Sequence, residues 1–166
     1  HDNYKKLKII DLQNPFLPIM DNKGKLREIL IGQKFSQSIS TALILAGGRG
    51  SRLGKLTKVT PKPLLKIRGK PILERILNQF EEKDFTNIFI SVFHKKLKFK
   101  DFLKKFKSKM TVKLINEPYP LGTGGSIALL PKNVEENFLV INGDVLTNID
   151  LDSFINTHIK NNNDIT

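Results

Sequence analysis

The sequence has 166 residues, a formal net charge of +12 and no cysteine. This length suits one domain with a small appendage, and the absence of cysteine excludes disulfides, thiolate nucleophiles and cysteine-ligated metal sites. No apolar run is long enough to span a membrane and the first residues do not form a signal peptide, so we expect a cytoplasmic protein with no membrane partner.

The first 40 residues predict a hairpin followed by a linker. Two apolar runs flank Asp21-Asn22-Lys23-Gly24, a favourable turn sequence, and this pattern is typical of a β-hairpin. Residues 36–40 are mostly polar and indicate a linker. We therefore divide the chain into 1–35, 36–40 and 41–166.

Strands and helices alternate from residue 41 onwards. The strands are predicted at 42–45, 87–93, 111–115 and 137–141, with a short extended piece at 64–67. The helices are predicted at 71–82, 98–108 and 151–160, with a short one after the loop that starts at 116. This alternation predicts an α/β fold with a mostly parallel sheet and helices on both faces. Residues 164–166 resemble the start of another strand, which suggests a fragment of a longer protein.

The predicted helix at 98–108 carries much of the positive charge. Its Phe99, Phe102, Leu103 and Phe106 fall on one face, and its lysines fall on the other. A charge of +12 also suits a module that binds nucleic acid. We favour a solvated helix surface and expect no nucleic-acid partner.

A long glycine-rich loop follows the strand at 42–45. Gly47, Gly48 and Gly50 leave backbone N–H groups open to a ligand, and such groups bind phosphate oxygens at the carboxyl end of a parallel strand. Walker A spacing is absent, because Arg49 stands where its first glycine belongs. A dinucleotide fingerprint also fails, because residue 53 is leucine.

Two prolines flank Lys62 in the segment after this loop. Proline has a fixed φ and restricts its predecessor, so "TPKPLL" predicts a stiff, extended segment that holds the lysine. A lysine held beside a phosphate-binding loop indicates a site for a polyanion.

The combined motifs resemble the sugar-1-phosphate nucleotidyltransferases, including mannose-1-phosphate guanylyltransferases. "LAGGRGSRL" followed by "TPKPLLKIRGKP" is similar to the family signature, while "EPYPLGTGGSI" and "VINGDVL" are similar to its later motifs. The resemblance covers about residues 41–166, the N-terminal part of the family's Rossmann-like domain. It implies transfer of a nucleotidyl group from an NTP to a sugar 1-phosphate, with Mg²⁺ and release of pyrophosphate, in surface-glycan precursor synthesis.

Family roles carry over by position. The resemblance implies that the nucleotide is bound by Leu45, Ala46, Gly47, Gly48, Gly50, Glu117 and Gly122. It implies catalytic roles for Arg52 on the triphosphate, Lys62 at the reacting phosphates and Asp144 as the Mg²⁺ ligand. Arg49 receives no role. We expect the isolated 166 residues to be inactive, because the second metal ligand and much of the sugar site lie further along the family's domain. Homo-oligomerisation stays open.

Glu117 suggests which nucleobase of the NTP the site prefers. A carboxylate only accepts hydrogen bonds, and guanine offers N1–H and N2–H side by side, whereas uracil offers a single N–H. We therefore favour GTP.

The hairpin resembles the end of a CBS domain in "LPIMDNKGKLREIL". The resemblance implies a regulatory remnant at 1–35. Two alternatives to the favoured function are a cytidylyltransferase that acts on a non-sugar phosphate such as phosphocholine, and a non-catalytic nucleotide- or nucleic-acid-binding module.

Overall fold

The computed structural model describes residues 16–20, 26–31 and 39–166. It separates the chain into two units, His1–Ser38 and Ile39–Thr166. In the first unit, strand β1 (Phe16–Met20) pairs antiparallel with β2 (Leu26–Ile31). This pairing agrees with the predicted hairpin, whose turn lies outside the described residues. The likeness to a CBS domain stays a prediction.

The second unit contains a parallel four-stranded sheet and a two-stranded ribbon. Its strands are β3 (Thr41–Leu45), β4 (Lys66–Ile67), β5 (Lys70–Pro71), β6 (Asn87–Val92), β7 (Thr111–Asn116) and β8 (Leu139–Asn142). The sheet order is β7-β6-β3-β8, with parallel pairing throughout, and β4 and β5 form the ribbon. The α-helices are α1 (Lys55–Val59), α2 (Ile72–Glu82), α3 (Lys96–Lys105) and α4 (Leu151–Asn161). The predicted α/β class with a mostly parallel sheet is confirmed.

Both faces of the central strands are covered. Successive strand residues point to opposite faces, yet Thr41, Ala42, Leu43 and Ile44 are all buried in β3, and β6 is buried from Ile88 to Val92. Such continuous burial is typical of parallel strands between helical layers. Ile39, placed in the linker by the sequence prediction, is itself part of this core, while residues 36–38 lie outside the described parts of the chain.

Helix α2 packs its apolar face into the core. Ile72, Leu73, Ile76, Leu77 and Phe80 are all buried, at the spacing of one helix face. Burying side chains of this size contributes about 1.5–3 kcal/mol each. The apolar residues of this stretch therefore fix the helix on the sheet.

Helix α3 begins and ends earlier than the predicted range of 98–108. Lys95 has a left-handed φ of 52° and precedes the first turn, while Phe106 is extended at φ −77° and ψ 119°. Phe106 still stacks on Phe102, with ring centroids 5.7 Å apart. Apolar spacing alone extended the predicted helix, because a residue can continue the apolar face after the helix has ended.

The strand order places a crevice beside β3. The chain passes from β3 to β6 on one side and later returns to β8 on the other side of β3. Ligands of open parallel sheets bind where the order reverses in this way, outside the carboxyl ends of the strands. Residues 164–166 are not in a strand, contrary to the sequence prediction. Among the residues described, no helix has the length and apolar character needed to cross a membrane.

Candidate active site

A cavity of about 460 Å³ opens at the carboxyl ends of β3 and β8. Every site residue assigned from the sequence lines it: Leu45, Ala46, Gly47, Gly48, Gly50, Arg52, Lys62, Glu117, Gly122 and Asp144. The sequence assignments did not include six further lining residues: Ser51, Leu53, Pro63, Pro120, Thr123 and Asn142. Motifs far apart in the sequence therefore meet in one place, and their roles stay predictions.

The glycine loop is folded into short helical turns on a buried threonine. The Thr57 hydroxyl donates to the Gly50 carbonyl at 2.8 Å. Gly50 has φ 63°, and a Cβ there would lie 3.0 Å from Thr57 Cγ2. Glycine is required at this position because the backbone is left-handed and the threonine is already in contact. Sequence reasoning missed Thr57, a polar residue buried in an otherwise basic stretch.

Lys62 is held in a turn, so the predicted extended segment is wrong at this residue. Lys62–Leu64 is a short 3-10 helix preceded by extended Pro61, and Leu64 N donates to Pro61 O at 2.9 Å. The φ of Pro63 suits both extended and helical backbone. The hydrogen bonds of the turn outweigh the preference for an extended residue before proline.

Lys62 and Asp144 form an ion pair across the cavity. Their side chains are 37% and 31% exposed, so both remain open to solvent and to a ligand. Asp144 follows Gly143, whose N–H donates to Leu45 O at 2.8 Å. A Cβ on Gly143 would lie 3.2 Å from that oxygen, so glycine lets the end of β8 approach the end of β3. A nucleotide phosphate could bind the ammonium of this pair, and a metal ion could bind its carboxylate.

Arg52 is a third charged residue of the cavity lining. It belongs to the 3-10 helix Ser51–Leu53, which follows Gly50 directly. Its side chain is exposed and lines the cavity. A guanidinium in this position can bind phosphate oxygens in pairs.

Glu117 lines the cavity and lies against the glycine loop. Its Oε1 accepts from Ser91 Oγ and, at 2.9 Å, from Ser126 Oγ, while Oε2 accepts from the Leu121 N–H at 3.2 Å. A Cβ on Gly47 would lie 2.5 Å from Oε1. The two serines were not assigned from sequence, although a serine within the apolar run "NIFISVF" was a usable signal.

Arg49 and His94 pair outside the cavity. Arg49 Nε donates to His94 Nε2 at 2.7 Å, which requires a neutral imidazole with its proton on Nδ1. Burial lowers the pKa of His94, and the charges of Arg49 and Lys95 lower it further, against a smaller opposing effect of Glu117. Lys95 Nζ also donates to the Thr57 carbonyl, so the residues after β6 brace the glycine loop.

This pair predicts a pH dependence of stability. The folded pKa of His94 lies below its ordinary value of 6.5, so the unfolded chain protonates first. The free energy of unfolding should therefore be unaffected well above pH 6.5 and fall as the pH drops through that value. The check is denaturant unfolding of wild type and His94→Gln between about pH 8 and about pH 5. Glutamine can accept a hydrogen bond from Arg49 but does not titrate. The free energy of unfolding of His94→Gln should therefore fall less than that of wild type as the pH drops. Identical pH slopes would contradict the prediction.

Comparison with known proteins identifies the family of this site. A family model described as "Nucleotidyl transferase" matches residues 41–166. The chain belongs to the nucleotidyl transferase family.

Relatives within this family carry different nucleotide specificities. The chain is 33% identical over 127 residues to mannose-1-phosphate guanylyltransferase of Mycobacterium tuberculosis, covering 75% of this chain and 35% of the relative. It is 41% identical over 120 residues to N-acetylmuramate alpha-1-phosphate uridylyltransferase of Neisseria meningitidis, covering 70% and 52%. The crystal structure of HddC from Yersinia pseudotuberculosis superposes with a TM-score of 0.65 at 35% identity, covering 73% of this chain and 55% of HddC. The chain thus spans about half or less of the nucleotidyl transferases that it resembles.

Asp144 fits a metal ion only as one ligand among several. The described residues contain no cluster of three or more histidine, cysteine, aspartate or glutamate side chains able to hold a metal. Mg²⁺ commonly takes one or two carboxylates together with substrate phosphates and water. A partly exposed carboxylate just after a strand, paired with a cation, has the chemistry for that role.

Proposed function

We propose that this chain provides the nucleotide-binding part of an enzyme that joins an NTP to a sugar 1-phosphate. The products are a nucleotide sugar and pyrophosphate, in the supply of surface-glycan precursors. The observation that carries the proposal is the single cavity that brings together Arg52, Lys62, Asp144 and the glycine loop. The names of the matched relatives supply the sugar 1-phosphate and nucleotide classes.

The reaction needs positioning more than covalent chemistry. An oxygen of the sugar phosphate attacks the α-phosphorus of the NTP, the bond to the bridging oxygen breaks, and pyrophosphate leaves with that electron pair. No protein nucleophile is required. The main obstacles are the repulsion between two anions and the entropy of bringing them together, and fixed cationic groups reduce both.

Each charged residue has a role in this proposal. Arg52, in the lining of the cavity, holds the β- and γ-phosphates that become pyrophosphate. Lys62 neutralises charge at the α-phosphate, and Asp144 would hold Mg²⁺ together with substrate oxygens and water. The ion would supply charge stabilisation there.

GTP is the nucleotide that we propose. Support comes from the guanylyltransferase relative and from HddC, which has been solved in complex with GMP-PN. Glu117 contributes less to the choice of base than the sequence suggested, because its Oε1 already accepts from two hydroxyls. Only Oε2 has an acceptor position left for a base N–H. Glu117 therefore no longer favours guanine over uracil, and the choice of GTP rests on these relatives.

Substrate competition tests both parts of the proposal. Pyrophosphate release by the full-length protein should be detectable with mannose 1-phosphate or a related sugar 1-phosphate, Mg²⁺ and GTP. In equimolar mixtures, GTP should be consumed at least about tenfold faster than UTP, CTP or ATP, a ratio that one lost buried hydrogen bond can produce. Preference for UTP would contradict the choice of base, and no release with any NTP would contradict the reaction.

A further inference from the structure

Three side chains form a hydrogen-bonded cluster at the cavity, here called the serine clamp: Ser91 and Ser126, which are buried, and Glu117, which is partly exposed and lines the cavity. Ser91 lies in β6 and Ser126 in the 3-10 helix Gly125–Leu129. The two hydroxyl oxygens lie 2.9 Å apart, and both contact Glu117 Oε1. Neither serine has any exposed surface. Two elements distant in sequence thus meet on one carboxylate oxygen.

The serine clamp fixes which way the carboxylate turns. An ionised carboxylate can only accept, so the hydroxyls are the donors. Burying a carboxylate oxygen without donors is costly, and hydrogen bonds to charged groups are stronger than neutral ones. The most favourable arrangement therefore keeps Oε1 inward, on the serines.

The glycine loop packs directly against the same carboxylate. Any Cβ at Gly47 would lie within 2.9 Å of three Glu117 atoms, so only glycine allows this approach. Oε2 accepts from the Leu121 N–H at 3.2 Å, and Glu117 lines the cavity. A carboxylate oxygen has two acceptor positions, so one position on Oε2 remains for a ligand.

We propose that Ser91 and Ser126 are positioning residues for base selection. By holding Oε1, they leave Glu117 with one acceptor position at one fixed place, which favours bases that present an N–H there and disfavours bases that present an acceptor. This inference rests on the proposed function, because it assumes that the cavity binds an NTP. It attributes part of the base selectivity to two fully buried hydroxyls that the ligand does not contact.

Removing either hydroxyl should weaken selectivity more than catalysis. Without Ser91 or Ser126, the carboxylate can turn and offer either oxygen to different bases. The ratio of dissociation constants between disfavoured and favoured NTPs should fall by about tenfold, the scale of one hydrogen bond to a charged group. The kcat at saturating NTP should change by less than about threefold, because Arg52, Lys62 and Asp144 are untouched.

The experiment compares Ser91→Ala and Ser126→Ala with a matched control in the full-length protein. Ser108 also contacts a glutamate, Glu81, at 3.0 Å, but that pair does not line the cavity. Calorimetric titrations with GTP, UTP, CTP and ATP should show reduced selectivity in the two clamp variants and unchanged selectivity in Ser108→Ala. An unchanged ratio, or equal weakening of every NTP, would overturn the proposal.

Glu117→Gln keeps the inference testable if a serine variant does not fold. Glutamine retains an acceptor for the serines but presents an amide NH₂ in place of Oε2. We expect selective loss of affinity for the preferred NTP, with a modestly lower thermal midpoint, because the NH₂ cannot accept from the Leu121 N–H. Normal selectivity in this variant would also overturn the proposal. Failure of pyrophosphate release with intact, selective NTP binding counts against the reaction alone, whereas absence of NTP binding in wild type overturns both.

Discussion

Asp144→Asn should reduce pyrophosphate release by about 10²–10³-fold in kcat, the usual loss when one group that stabilises transition-state charge is removed. Asparagine keeps the shape of the side chain but removes its negative charge, which pairs with Lys62 and which we propose binds Mg²⁺. The measurement is release of pyrophosphate at saturating GTP and sugar 1-phosphate over a range of Mg²⁺ concentrations. Binding of Mn²⁺, followed spectroscopically without nucleotide, should weaken in parallel.

Asp152→Asn is the matched control for this variant. Asp152 forms an exposed ion pair with Lys83 at 2.6 Å, on α4 and away from the cavity. Exposed pairs contribute at most about 1 kcal/mol to stability, so turnover should match wild type. A loss of less than fivefold in Asp144→Asn would remove Asp144 from the catalytic machinery that we propose.

Lys62→Ala should lower kcat/KM by about 10²–10³-fold, because a fixed cation at the reacting phosphates is lost. Its effect on the affinity for the metal ion should be opposite to that of Asp144→Asn. With the ammonium gone, Asp144 is released from its ion pair. Metal binding without nucleotide should then become about two- to fivefold tighter, the scale of a partly exposed ion pair.

Lys83→Ala separates this effect from a general loss of positive charge. It removes one lysine and one ion pair outside the cavity, and it should leave both turnover and metal binding unchanged. Weaker metal binding in Lys62→Ala would show that the lysine does not compete for Asp144.

The sequence predicted the parts of this molecule that have local signals. Alternating apolar runs located the four parallel strands to within two residues, because a buried strand must be apolar along its length. The motifs after these strands predicted the candidate site through their resemblance to a family, and the carboxyl ends of parallel strands share one edge of the sheet. Arg52, Lys62 and Asp144 line one cavity there, and their roles stay predictions.

The features that sequence reasoning missed depend on contacts between distant segments. Nothing near Ser126 in the sequence indicates that its partner is Ser91, 35 residues away. In the sequence, Thr57 resembles any other polar loop residue. Only the structure shows that it binds Gly50. The turn at Lys62 was missed for a different reason, because two prolines restrict φ without deciding between an extended and a helical residue.

Glu117 lies between these two cases. Its place in the site followed from the motif, and it lines the cavity. The orientation of its carboxylate did not follow, because it depends on two buried hydroxyls from other elements. Sequence reasoning can therefore assign a residue to a site while leaving open which of its atoms faces the ligand.

If Asp144 holds a metal ion and Lys62 a nucleotide phosphate, as we propose, their ion pair couples the two binding events. A nucleotide that binds alone takes Lys62 from the pair and leaves the Asp144 carboxylate facing phosphates. A metal ion that binds alone takes Asp144 and leaves the Lys62 ammonium without an anion. A magnesium–nucleotide complex satisfies both partners in one event. Linkage then requires each ligand to raise the affinity for the other by the same factor. In the proposed enzyme, this coupling would select for the complete magnesium–nucleotide complex before any chemistry begins.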